Sequence, residues 1–208
     1  MAKLDIKDAF WLIPVRPHDR HFLGFSWQGV SYVDLRLPFG LRNSPPWFEA
    51  FASLITWILR EKCHLSNVVR YVDDFFIAAK SSNACSSYMD EIIQLLNDRG
   101  VPVNMDKLKS QGVPRTSCVF LGVEIDSIAL EARLDATKLT QLRSEVHVWR
   151  GRSSWSRSQI QSLVGKLAFA TKVVVIGRAS LQRLLAPLRI HIGAQFDRTI
   201  YPECREDL

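Results

Sequence analysis

Residues 71–74, Tyr-Val-Asp-Asp, place two adjacent carboxylates between two apolar runs, and this stretch constrains the fold more than any other. Adjacent residues of a regular strand point to opposite faces, so Asp73 and Asp74 can act together only where a strand turns. The sequence therefore predicts a β-hairpin over residues 68–79 with the two acids at its tip. A solvated surface turn is the alternative, but such a turn has no need of the apolar residues that flank this pair.

A third carboxylate, Asp5, ends the first predicted strand. If that strand lies beside the hairpin, Asp5, Asp73 and Asp74 converge, and three acids in one place repel each other unless cations neutralise them. Mg²⁺ prefers carboxylate oxygen and keeps room for phosphates. Two such ions about 4 Å apart activate an attacking hydroxyl and stabilise a leaving pyrophosphate.

The remaining pattern predicts an α+β fold, in which an antiparallel sheet with helices on one face precedes a small helical bundle. We expect the division near residues 130–135, where the pattern changes from mixed to helical. Ser44, Asp135 and Ser156 are predicted N-caps. The predicted strands are 22–27, 30–35, 101–103 and 119–125, and the predicted helices are 44–62, 82–99, 135–150, 156–173 and 177–188.

Composition and charge narrow the function classes. The chain has no apolar run of about eighteen residues and no signal peptide, so we expect an intracellular protein, cytoplasmic or nuclear, with no membrane partner. Its four cysteines form no Cys-x-x-Cys pair, which predicts free thiols. Residues 1–130 carry 14 basic and 14 acidic side chains, whereas residues 131–208 carry 13 and 7. The basic C-terminal part favours nucleic acid as a partner over a merely soluble helical face.

Four blocks in order, residues 4–10, 37–45, 71–74 and 120–122, resemble the reverse transcriptases of retroelements, and the resemblance covers residues 2–188. The sequences Pro-Phe-Gly-Leu and Tyr-Val-Asp-Asp resemble the gypsy-type and DIRS-type branch, and residues 161–167 with 177–179 resemble DIRS-type thumbs. The resemblance implies a polymerase palm over residues 1–130, a helical thumb over 131–190 and a tail over 191–208. It also implies that a fingers segment and an RNase H segment belong to the parent polyprotein, since this sequence contains neither.

The resemblance also implies site residues. Asp5, Asp73 and Asp74 correspond to the catalytic, metal-binding carboxylates, with the backbone of Ile6 as a further metal contact and two Mg²⁺, or Mn²⁺ in their place, as cofactors. The residues implied to bind the deoxynucleoside triphosphate are Asp8, Ala9, Phe10, Phe39, Gly40 and Lys107. The residues implied to bind primer and RNA or DNA template are Arg42, Tyr71, Phe120, Leu121, Gly122 and Lys166.

Two of these assignments compete with simpler interpretations. Phe10 corresponds to a steric gate that excludes a ribose 2′-OH, but it is also compatible with an ordinary core residue. Lys107 corresponds to a lysine that protonates the leaving pyrophosphate, but it is also compatible with a surface lysine. Thumb Lys and Arg side chains are implied to hold the duplex through its phosphates, whatever its sequence.

The function predicted from these residues is RNA-directed DNA polymerisation, the two-metal transfer of a deoxynucleotide to a primer 3′-OH. The main alternative is a catalytically silent, truncated retroelement remnant that only binds nucleic acid. An RNA-dependent RNA polymerase is a third hypothesis, which Phe10 disfavours.

Overall fold

The computed structural model describes residues 1–151, 154–189 and 197–199, and the chain divides into two compact units, Met1–Cys118 and Val119–Leu208. Both strands and helices are present and the strands pair antiparallel, so the predicted α+β class is confirmed. The units divide ahead of the predicted palm–thumb boundary at 130–135. The reason is that the strands at 117–120 and 123–126 form one sheet with the strand at 131–134. The functional division into palm and thumb stays a prediction.

The first unit contains five strands, three α-helices and two short 3-10 helices, Ala9–Leu12 and Pro17–Leu23. In chain order its strands and α-helices are β1 (Ala2–Asp5), β2 (Gly24–Trp27), β3 (Val30–Val33), α1 (Ser44–Glu61), β4 (Val68–Tyr71), β5 (Asp74–Ile77), α2 (Ser82–Asp98) and α3 (Met105–Gln111).

The central sheet has the order β1-β5-β4, with both pairs antiparallel. The predicted hairpin is confirmed as β4 and β5, and β1 pairs along its other side so that Ala2 lies opposite Ile77. Strands β2 and β3 form a separate two-stranded hairpin. Residues 5–7 extend the central sheet toward residues 102–104 through Lys7 N to Pro102 O, 2.9 Å, and an isolated bridge between Ile6 and Val103.

The core of this unit lies between the central sheet and the helices α1 and α2. Helix α1 buries Phe48, Ala52, Ile55 and Leu59, which recur at the three- and four-residue spacing of one helical face. Helix α2 buries Met89, Ile92 and Leu96 in the same way. From the strands, the core receives Leu4, Phe75 and Ile77, which are all fully or almost fully buried.

Several sequence predictions for this unit were wrong in detail. Ser44 is the first residue of α1 and not its N-cap, because its hydroxyl donates to Pro38 O at 2.7 Å while Asn43 occupies the cap. The predicted strand at 22–27 is shorter, since the 3-10 helix continues through Leu23. Helix α3 was not predicted, although Asn104 accepts a hydrogen bond from the Lys107 backbone N–H as its N-cap.

The second unit begins with the three-stranded sheet β6-β7-β8, whose first strand starts at the end of the first unit. Three helices follow, and a short strand pair, β9 with β10, accompanies them. The bounds are β6 (Ser117–Phe120), β7 (Val123–Asp126), β8 (Glu131–Leu134), α4 (Ala136–Gly151), β9 (Ser154–Ser156), α5 (Arg157–Ala170), α6 (Gly177–Arg189) and β10 (Asp197–Thr199).

The predicted helices and both predicted caps of this unit are present. The side chain of Asp135 accepts from the Lys138 N–H at 3.4 Å, and Ser156 forms a capping box with Gln159. The single predicted strand over 119–125 is instead the hairpin β6–β7, because Leu121 and Gly122 both have positive φ and turn the chain. Strand β8 was not predicted.

Two small clusters stabilise the helices of this unit. Val164, Leu181 and Leu184 bury the contact between α5 and α6, while Trp149 and Leu163 bury that between α4 and α5. Cys63, Cys85 and Cys118 are free thiols as predicted, and Cys204 lies outside the described residues, as does most of the predicted tail. None of the described helices is long and apolar enough to cross a bilayer.

Candidate active site

The turn between β4 and β5 consists of two residues, Val72 and Asp73, with Tyr71 paired to Asp74 on either side. Val72 has φ 53°, a left-handed conformation that costs a β-branched residue about 1–2 kcal/mol. Two-residue hairpin turns need positive φ because their twist must match that of the strands. Gly or Asn would adopt this positive φ with less strain than Val. The strained Val72 lies directly beside the two acids.

The register of β1 on β5 brings Asp5 directly opposite Asp74. The side chain of Asp5 is only 7% exposed. The N–H of Ile6 donates to Asp73 O at 3.1 Å, which joins the end of β1 to the turn. Two acids 69 positions apart in sequence therefore lie side by side, with Asp73 next to them in the turn.

Lys107 and Asn104 bind the carboxylate of Asp5. Lys107 Nζ lies 2.7 Å from Asp5 Oδ1, and Asn104 Nδ2 donates to Asp5 Oδ2 at 3.1 Å. The backbone N–H of Asn104 also donates to Asp5 O at 2.9 Å, which places the start of α3 against the end of β1. Lys107 is half-exposed, and its ammonium pairs with a buried acid. Sequence reasoning missed Asn104, and its position as N-cap of α3 was the available signal.

The site carries more negative than positive charge. Burial raises the pKa of Asp73 above its usual value, and the neighbouring Asp5 adds to this. Burial also raises the pKa of Asp74, reinforced by Asp73 and Asp5. The hydrogen bond to Asp5 raises the pKa of Lys107, so this lysine stays protonated at neutral pH. One ammonium facing three carboxylates leaves the site attractive to a further cation.

Across residues 1–151, 154–189 and 197–199, no group of three or more His, Cys, Asp or Glu side chains is arranged to hold a metal ion. At this site both Asp5 oxygens are hydrogen-bonded, one to Lys107 and the other to Asn104. The donor set itself suits a hard divalent cation, since the three acids offer only oxygen.

Phe10 packs against two other aromatic rings. Its ring centroid lies 5.1 Å from that of Phe39 and 5.8 Å from that of Phe48. Phe48 is fully buried whereas Phe39 is exposed, so Phe10 links the core to the surface. Among the other predicted nucleotide residues, Ala9 is buried, and Asp8 and Gly40 are exposed with positive φ. Arg42 and Tyr71 are exposed as well.

Of the residues predicted to bind primer and template, Phe120 ends β6, and Leu121 and Gly122 form the turn between β6 and β7 in the second unit. A side chain at Gly122 would collide with Lys138, whose ammonium lies 4.4 Å over the ring of Phe169. Lys166 lies in α5, and its Nζ is 2.6 Å from Glu145 Oε2. Both lysines line a groove of about 520 Å³ between α4 and α5.

Known proteins share sequence similarity with this chain. Residues 1–125 match the family described as reverse transcriptase (RNA-dependent DNA polymerase). The Gag-Pro-Pol polyprotein of human T-cell leukemia virus 3 (strain Pyl43) is 29% identical over 92% of the chain, which spans 13% of that polyprotein. The transposon Tf2-3 polyprotein of Schizosaccharomyces pombe is 32% identical over 60% of the chain, which spans 9% of it.

Solved structures share the fold. The foamy viral protease-reverse transcriptase dRH in complex with double-stranded DNA has a TM-score of 0.73 at 20% identity, covering 99% of this chain and 33% of that one. The foamy viral protease-reverse transcriptase with an RNA/DNA hybrid has a TM-score of 0.70 at 18% identity, covering 99% of this chain and 26% of that one. The gypsy-type or DIRS-type branch stays a prediction. The match over more than half of its length shows that the chain belongs to the reverse transcriptase family.

Proposed function

We propose that this chain is the palm and thumb part of an RNA-directed DNA polymerase, adding deoxynucleotides to a primer 3′-OH by phosphoryl transfer. The observation that carries the proposal is the register of β1 on β5, which sets Asp5 opposite Asp74 beside the Asp73 turn. A catalytically silent remnant that only binds nucleic acid remains the second candidate. It rests on the pairing of both Asp5 oxygens with Lys107 and Asn104, which occupies one of the three carboxylates.

Asp5, Asp73 and Asp74 would hold two Mg²⁺, or Mn²⁺ in their place, with the backbone of Ile6 beside them. Bound there, the ions would lower the pKa of the primer hydroxyl and offset charge on the leaving pyrophosphate. Asp5 would exchange its ion pair with Lys107 for the cation, which frees the Lys107 ammonium. Lys107 is protonated while it pairs with Asp5, so the freed ammonium would carry a proton that it could give to the pyrophosphate oxygen.

The deoxynucleotide would lie against Phe10, with Asp8, Ala9, Phe39 and Gly40 around it. Packing against Phe39 and Phe48 fixes the ring of Phe10, and a fixed bulky ring can exclude a 2′-OH where a mobile one would yield. This contact supports deoxynucleotide selection over an RNA-dependent RNA polymerase.

In the first unit, Arg42 and Tyr71 would contact primer or template. In the second unit, Phe120, Leu121 and Gly122 would contact the primer, and Lys166 with other basic residues would contact phosphates. The structural neighbours in complex with DNA or RNA/DNA hybrid support such a partner. Fingers and RNase H segments would come from a parent polyprotein.

Primer extension on an RNA template with Mg²⁺ tests the proposal, comparing the chain with Asp73→Asn. Asp106→Asn is the matched control, because the side chain of Asp106 is 98% exposed and outside the site. We expect extension by the chain and by Asp106→Asn but not by Asp73→Asn. Extension that survives Asp73→Asn refutes the catalytic assignment. Duplex binding without extension by any form favours the remnant.

A further inference from the structure

Arg70, in β4, donates five hydrogen bonds while its side chain is only 9% exposed. Its Nε donates to Thr56 Oγ1 at 3.0 Å, and its two terminal nitrogens both bind the carboxylate of Glu49. One of these nitrogens also donates to Ser53 Oγ at 3.1 Å. Glu49, Ser53 and Thr56 recur at helical spacing on α1, so one face of α1 binds the whole guanidinium.

The fifth hydrogen bond leaves α1 and reaches the turn, since Arg70 Nη1 donates to Val72 O at 3.1 Å. The carbonyl of Val72 and the N–H of Asp73 belong to one planar peptide unit. Holding that oxygen therefore fixes the direction in which the chain enters Asp73. The restraint falls on a residue with φ 53°, a conformation that a β-branched side chain disfavours.

Glu49 takes up the charge of Arg70 through a bidentate pair, and the same pair lowers the pKa of Glu49. Burial raises the pKa of Asp73 and of Asp74, the charge of Asp5 adds to both shifts, and that of Asp73 adds to the shift of Asp74. The geometry therefore gives Arg70 a mechanical connection to the acids through the Val72 carbonyl.

We propose that Arg70 is a positioning residue, which braces the Val72–Asp73 peptide against α1 and so holds Asp73 and Asp74 in the orientation that catalysis requires. The positioning of the turn is a property of the fold, whereas its effect on catalysis rests on the function proposed above. Nothing in the sequence pattern around Arg70 marks it, because its partners on α1 lie 14 to 21 positions earlier in the chain.

The chain offers a matched control on the same helix and hairpin. Arg60 in α1 donates from Nη2 to Val68 O at 2.9 Å, so it braces β4 at the end away from the acids. Arg60→Met and Arg70→Met each remove one arginine that joins α1 to a β4 or turn carbonyl. Only Arg70→Met removes the restraint on the turn.

Hydrogen–deuterium exchange of the chain gives the primary readout. We expect amide exchange in residues 71–74 to rise at least tenfold in Arg70→Met and to stay at the wild-type rate in Arg60→Met. Unchanged exchange at the turn in Arg70→Met overturns the proposal, as does an equal rise in Arg60→Met. If Arg70→Met does not fold, Arg70→Gln with Glu49→Gln replaces the ion pair by an amide pair of similar shape. In that double variant, amide exchange in residues 71–74 should be faster than in the wild type but less than tenfold faster. Exchange at the wild-type rate would refute the proposal.

Mn²⁺ binding and primer extension show whether the brace matters for catalysis. We expect Arg70→Met to lose about 10- to 100-fold in Mn²⁺ affinity and in kcat, as is typical when a group orienting a ligand is removed. Arg70→Lys should recover part of this, and KM for the nucleotide should change less than kcat. Wild-type binding and kcat in Arg70→Met, with exchange raised, would refute the catalytic part. A wild-type chain that neither binds Mn²⁺ nor extends primer refutes the proposed function instead, while exchange at the turn still decides on Arg70.

Discussion

Replacing Lys107 with Met should destabilise the metal-free chain, because it leaves the Asp5 carboxylate charged, buried and without its cation. Removing one partner of a buried ion pair costs about 3–5 kcal/mol. Two features reduce this figure here, namely that the Lys107 side chain is 50% exposed and that Asn104 keeps its bond to Asp5. We therefore expect a loss of about 1.5–3 kcal/mol in the free energy of unfolding, close to the value of a charge-assisted hydrogen bond.

Urea denaturation in EDTA measures this loss, and Lys109→Met provides the control. Lys109 lies on the same helix, its side chain is 78% exposed, and its Nζ is 4.0 Å from Asp106. Such an exposed pair contributes at most about 1 kcal/mol, so Lys109→Met should be close to neutral. Adding Mg²⁺ should restore stability to Lys107→Met more than to the wild type, because the cation then binds Asp5 without displacing an ammonium.

Equal losses in Lys107→Met and Lys109→Met would refute this reasoning, since they would show that the Asp5 pair contributes no more than a surface contact. A double-mutant cycle with Asp5→Asn separates the pair from other effects of each substitution. We expect a coupling energy of about 1–2 kcal/mol in EDTA, and a value near zero would contradict the ion pair directly.

Three further predictions follow from the site and from the second unit. Asp73 and Asp74 have raised pKa values, so their carboxyl groups bind protons more tightly in the folded chain than in the unfolded chain. The free energy of unfolding therefore falls as the pH rises through the folded pKa values. Asp73→Asn and Asp74→Asn should therefore stabilise the metal-free chain at neutral pH. In thermal unfolding measured across pH, this added stability should disappear below about pH 3.9, the ordinary pKa of Asp. Glu145→Gln releases Lys166 from its ion pair, so the affinity of the chain for a duplex should increase. In fluorescence anisotropy, the slope of log K against log salt concentration should steepen by the equivalent of about one phosphate contact. Phe10→Val should raise ribonucleotide incorporation relative to deoxynucleotide incorporation in kcat/KM, and an unchanged ratio would make Phe10 an ordinary packing residue.

The local parts of the fold could be predicted from the sequence. The β4–β5 hairpin, the helical faces of α1 and α2 and the Ser156 cap depend on residues within a few positions of one another. Contacts between distant segments could not be predicted in this way, because pattern and propensity carry no information on register. The pairing of Lys107 with Asp5 and of Arg70 with Glu49 joins residues 102 and 21 positions apart. Asn104 illustrates both cases. Its role as the N-cap of α3 depends on neighbouring residues, whereas its hydrogen bond to Asp5 joins distant segments.

The separation between Asp5 and its partners also has a consequence for how the protein folds. The β4–β5 hairpin closes over two residues, and hairpins form within about 1–10 μs. Docking of β1 must instead close a loop of about 70 residues, and the Lys107 contact a loop of 102, so both carry a larger entropic cost. We expect the turn with Asp73 to form early, and the repulsion among the three carboxylates to arise only when β1 arrives. Lys107 would then arrive last, so that its ammonium offsets this repulsion at the end of folding.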